Sequence, residues 1–100
     1  MALVFVTVVP LGTATPSVSG HVAGVERILR ESGHKHELTA MGTIIEGELD
    51  QILPVLRQMH EQPFRQGVVR VSTSIRIDDR RDKKGSIEGK VRSVREKLGE

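Results

Sequence analysis

The chain has no cysteine, tryptophan or tyrosine, and only two phenylalanines among 100 residues. Without cysteine, neither a disulfide framework nor a thiolate metal site is available, which fits a reducing, cytoplasmic setting. With so few aromatics, Val, Ile and Leu must build the core. No run is long enough to span a bilayer: the apolar stretch at 2–9 meets Pro10 and carries no basic leader, so neither a membrane span nor a signal peptide is expected. An excess of one charge is also missing. Fifteen basic residues face thirteen acidic ones, for a net charge of +2, so no strong field advertises a polyanionic partner. The length suits one domain over residues 1–100 with one modest core.

What is present is regular patterning. Residues 3–9 are β-branched and apolar on both faces, as in a central strand, and Pro10-Leu11-Gly12 closes it. Val18, Val22, Val25 and Leu29 form one helical stripe, with Ser17 or Ser19 as cap and Gly33 as stop. Residues 35–40 alternate as a strand, and Met41-Gly42 turns into an apolar strand at 43–47. A second helix carries Leu49, Ile52, Leu53, Leu56 and Met59 on its apolar side. Pro54 falls near its first turn, and Pro63 should kink or shorten its last. Residues 68–78 alternate with period two, and Ser86 caps a final helix striped by Ile87, Val91, Val94 and Leu98. The order β-α-β-β-α-β plus a C-terminal helix predicts an α+β, ferredoxin-like sandwich. Two helices cover one sheet face. The other needs cover too, so a homo-oligomer, dimer or tetramer, is expected.

Glu46 is the least generic residue, a carboxylate inside the apolar strand Thr43-Ile44-Ile45-Glu46-Gly47. Burying it demands a partner. Taken alone, an ion pair with a basic side chain such as Arg70 is the commoner arrangement; a ligand with donors is the alternative. Reading strands 1 and 3 as parallel neighbours brings the loop before helix 1 toward Glu46 and leaves Met41 near the opposite end of the sheet from Ser17. Thr43 offers a hydroxyl and Met41 an adaptable apolar surface. The tract Asp78-Asp79-Arg80-Arg81-Asp82-Lys83-Lys84 mixes signs and should pair with itself. His34 and His36 share a strand face without further placed ligands, so no metal site is expected. There is no P-loop lysine and no nucleophile elbow, so neither phosphoryl transfer nor triad hydrolysis is indicated.

Several tracts together, Pro10-Leu11-Gly12-Thr13, Ser17-Val18-Ser19, Glu31-Ser32-Gly33, Met41-Gly42-Thr43 with Glu46-Gly47, and Ile77-Asp78-Asp79-Arg80-Arg81-Asp82-Lys83, occur in this order across nearly the whole chain. The combination resembles the small thiamine-binding protein family. The resemblance implies a ferredoxin-like domain, self-association, and non-catalytic binding of thiamine or its hydroxymethylpyrimidine part by a cytoplasmic carrier or sensor. Carried over, it implies a ligand site drawing on Ser17, Ser19, Met41, Thr43 and Glu46, with no enzymatic reaction, cofactor or metal. Pro54 and Pro63 depart from the unbroken second helix usual in the family. A structural or regulatory homo-oligomer without a small ligand is the competing reading. A nucleic-acid module would need stacking rings on its central strands, and only Phe5 is there.

Overall fold

The computed structural model describes residues 1–14, 19–83 and 85–100. Its elements are β1 (Ala2–Leu11), α1 (Ser19–Ser32), β2 (Lys35–Leu38), β3 (Thr43–Gly47), α2 (Leu49–Arg65), β4 (Arg70–Asp79) and α3 (Ile87–Lys97). The four strands form one antiparallel sheet in the order β2-β3-β1-β4, the expected ferredoxin-like α+β arrangement.

The expectation of parallel β1 and β3 is overturned. They run antiparallel, with Ala2 opposite Gly47 and Val6 opposite Thr43. A helical crossover returns β2 in the direction of β1, and the tight turn after β2 then reverses β3. The C-terminal ends of β1 and β3 therefore lie at opposite ends of the sheet. Thr43 and Met41 sit toward the end where β1 finishes; Glu46 sits at the other.

Alternation decides which face each residue takes. Ala2, Val4 and Val6 of β1 and Ile45 of β3 point to the helix-covered face, where they meet Val25 and Leu29 of α1 and Ile52, Leu56 and Met59 of α2. Burying each Val, Leu, Ile or Met of this set is worth roughly 1.5–3 kcal/mol relative to exposure. Val55 takes the buried place expected for Leu53, which is exposed. Pro63 does not shorten α2. It is fully buried, and its packing holds the last turn in place of the missing hydrogen bond. Gly67, at φ +88°, ends the element by donating to Phe64 O at 3.1 Å.

Two further differences matter for function. β1 continues through Pro10 to Leu11, still paired with β4, although its pairing with β3 stops at Val6. Beyond Val6 no strand pairs with its β3-facing side among the described residues, and a strand with one open side tolerates a proline. The last helix, α3, is capped as expected, Ser86 Oγ accepting from Gly89 N at 2.9 Å, yet it buries none of its residues. Val91, Val94 and Leu98 remain exposed.

Candidate functional site

The open edge of β1 is the floor of a cavity. Thr39 shapes the turn beside it: its backbone N–H and its hydroxyl both donate to Gly42 O, at 2.8 and 2.7 Å, and its oxygen accepts from Gly42 N at 3.2 Å. Position 42 must be glycine for the turn to lie down on β1. A Cβ there would stand 2.6 Å from Phe5 Cζ and 2.8 Å from Thr7 Cγ2. The turn, β1 and the first half of α1 enclose a cavity of about 210 Å³. Val8, Val22, Val25 and Met59 supply apolar wall, Met41 lies at the rim, and Thr43 faces inward from the first position of β3. Among the described residues that line it, none carries a charge.

Thr43 is 6 % exposed, and its hydroxyl makes no side-chain hydrogen bond among the described residues. Thr7, Val8 and Val9 line the same space, in the part of β1 that has no strand against its β3-facing side among the described residues. Among the described residues, the cavity therefore offers a hydroxyl and an unpaired stretch of strand beside apolar walls. That set suits a small, flat, uncharged molecule with donors and acceptors on its rim. Met41, 80 % exposed, is placed to pack over such a molecule.

Of the five residues predicted for a ligand site, Met41 and Thr43 line this cavity. Ser17 lies outside the described residues; Ser19 is the first residue of α1, and its side chain is likewise outside them. Glu46 is elsewhere. It projects from the opposite face of the sheet at the opposite end, and it has protein partners. Glu46 Oε1 accepts from Ile87 N, in the first turn of α3, at 3.1 Å. Its Oε2 lies 3.8 Å from Lys35 Nζ, on the residue directly across the β2–β3 ladder. Arg70, the partner considered from sequence, pairs with Leu11 at the far end of β4. Lys35 also bridges to Glu88 at 2.5 Å. That contact holds the Glu88 carboxyl below, and the Lys35 ammonium above, their ordinary values. Glu46 is thus an anchor for α3: it satisfies an amide left free at the helix start and places negative charge there.

The other charged candidates resolve into pairs. Arg80 makes a two-point contact with Asp82, which pulls the Asp82 carboxyl down to about 2, and Arg81 binds Asp79. Asp78 pairs with Lys90 of α3, and this lowers its carboxyl below the usual range. His36 contacts Glu26 Oε1 through Nε2 at 2.7 Å and His34 O through Nδ1 at 2.9 Å, tying edge strand β2 to α1. Among the described residues, no three His, Asp or Glu side chains gather as a metal site.

Sequence reasoning missed the α1 wall, Val22 and Val25, and the open β1 edge. Pro10 was the available signal for the edge. The odd spacing of Thr43 and Glu46 was the signal that one pocket does not hold both.

The sequence profile of the thiamine-binding protein family matches residues 4–95. A UPF0045 protein of Bacillus subtilis is 51 % identical over 102 residues, covering 98 % of each chain. The crystal structure of a hypothetical protein from Methanocaldococcus jannaschii superimposes with a TM-score of 0.84 at 35 % identity, covering 93 % of this chain and 94 % of that one. A domain of unknown function from Bacillus cereus gives a TM-score of 0.80 at 32 % identity, over 90 % of this chain and 86 % of its own.

Proposed function

The chain belongs to the thiamine-binding protein family, and on that premise we propose that the cavity beside the 39–42 turn binds the pyrimidine part of thiamine, or free hydroxymethylpyrimidine, without chemical conversion. The observation that carries this reading is the hydroxyl of buried Thr43, which has no hydrogen bond among the described residues and faces an uncharged cavity bordered by the part of β1 that pairs with no strand on that side among the described residues. An aminopyrimidine presents ring nitrogens and an exocyclic amine along one edge. A strand edge presents alternating N–H and C=O groups, so the two can pair as a short strand would. Thr43 adds a donor or acceptor as the ring requires, and Met41 covers the ring face.

The lining also ranks the ligands. A cationic thiazolium or a phosphate finds no opposite charge in the cavity. Its volume of about 210 Å³ also lies below the roughly 300–1,000 Å³ of pockets for drug-sized ligands. Hydroxymethylpyrimidine should therefore bind at least as tightly as thiamine, and thiamine diphosphate least. Calorimetric titration of the purified protein with all three tests this. Heat from none of them at millimolar concentration removes the proposal, and a preference for the diphosphate removes the assignment to this cavity.

Self-association is the second reading, in which the chain acts as a structural or regulatory homo-oligomer. Its support is the outer edge of β4, ten residues with no further strand beside them among the described residues, bordered by half-exposed Ile75 and Ile77. A second copy adding its own β4 would pair those backbone groups and cover both isoleucines. Native mass spectrometry checks stoichiometry and co-purified ligand together. A monomer at micromolar concentration rules the oligomer out, and an oligomer without bound pyrimidine in any preparation favours it over the ligand reading.

A further inference from the structure

On the sheet face that α1 and α2 leave open, α3 and the connection after β4 border a cleft of about 530 Å³. Four cationic side chains line it, Arg80, Lys83, Lys90 and Lys97, against one carboxylate, Asp78. Asp78 is engaged by Lys90, and Arg80 by Asp82. Lys83 and Lys97 make no ion pair among the described residues. Ser86, Lys90, Ser93 and Lys97 recur every three or four residues, so their side chains share one side of α3.

The neighbouring surface has the opposite character. The cleft on the other flank of α3 holds Glu37, Glu88, Glu96 and Glu100 against Arg92 and Arg95. The cleft at the β3–α2 junction holds Glu48, Asp50 and Asp79 against Arg81. The chain's small net charge is therefore sorted by place. Lysines scattered for solubility would be interspersed with acids; here unpaired lysines gather in one concavity and the acids line two others.

We propose that this cleft is a binding site for a small phosphate-bearing anion, separate from the uncharged cavity on the other sheet face. Lys83 and Lys97 supply mobile point charges, Ser86 and Ser93 supply hydroxyls, and the Arg80 guanidinium is held in place by Asp82. A long polyanion fits less well. The carboxylates on the far flank of α3 would repel its continuation, and the cleft has no aromatic ring for a base to stack on.

The test is an NMR titration of the whole protein in phosphate-free buffer with inorganic phosphate and then pyrophosphate. Saturable shifts of the Ser86, Gly89, Lys90 and Ser93 amides are expected, with pyrophosphate binding more tightly. The double variant Lys83→Ala with Lys97→Ala, which breaks no ion pair or hydrogen bond among the described residues, should weaken binding about tenfold, the size expected for two exposed charge contacts. Its hydroxymethylpyrimidine titration should match the parent protein. Shifts that never saturate, that centre elsewhere, or that persist unchanged in the double variant overturn the proposal. So does an RNA oligonucleotide that moves these amides at lower concentration than pyrophosphate.

Discussion

Thr43 and Glu46 sit three residues apart on β3, at 6 % and 8 % exposure, and face opposite sides of the sheet. One hydroxyl meets a cavity and has no side-chain partner among the described residues; one carboxylate meets an ammonium and a helix-start amide. Burial alone would rank the carboxylate as the functional group, because its desolvation costs more. Partnership reverses that ranking. A buried polar group whose bonds are already made holds the fold together, and one whose bonds are open is where a guest can gain free energy.

Substitution at each position breaks the comparison if it is wrong. Glu46→Ala should have the larger effect on stability, about 1–3 kcal/mol, the usual cost of removing a buried charged partner. It strips the Ile87 amide and leaves Lys35 with Glu88 alone. Hydroxymethylpyrimidine affinity should stay unchanged, because Glu46 does not line the cavity. Urea unfolding and calorimetry on the same sample read both. Lost affinity at full stability would return Glu46 to the ligand site.

Thr43→Val sharpens the other half. Valine removes the hydroxyl with little change in size, so stability should move by less than about 1 kcal/mol, the hydroxyl having no bond to lose among the described residues. Affinity for hydroxymethylpyrimidine should fall about tenfold, one ordinary hydrogen bond. A variant that binds normally but unfolds readily would make Thr43 structural and leave the cavity without its polar contact.

The fold was legible in the sequence because each element declares its own period. The two-residue alternation of β4, the stripes on α1 and α2, and the Ser86 cap are local facts, and local facts survive folding. Strand direction was legible too, and was misread: a helical crossover followed by a tight turn makes β3 antiparallel to β1. Two of the five residues expected at a ligand site, Met41 and Thr43, lie beside the cavity because the turn places them there. The remainder depended on lengths and registers. The cavity exists because β1 outruns β3, with pairing that ends at Val6 while β1 continues to Leu11. Glu46's partners depend on Lys35 lying opposite it across the ladder and on where a helix forty residues later comes to rest. No window of sequence contains that helix's position, because α3 buries none of its own stripe to fix it.

That loose packing gives the smallest and most specific expectation. Polar contacts carry much of the docking of α3: Glu46 to the Ile87 amide, Lys35 to Glu88, and Lys90 to Asp78. Folding depresses the carboxyls of Glu88 and Asp78 below their ordinary values of 4.5 and 3.8. Their stabilisation is therefore complete above those values and is lost as pH falls through the depressed ones. Lys35 runs the other way. Its raised value leaves its share intact below 10.5 and removes it as the solution grows more alkaline. Acid below the carboxylate range should thus loosen α3 before the rest of the chain, and salt should do the same more weakly at neutral pH. Amide NMR signals of Gly89 and Val91 should shift at a pH where those of Ile52 and Met59 in α2 have not moved. A single shared midpoint for both helices would mean that α3 is bound into the core more firmly than its exposed stripe implies.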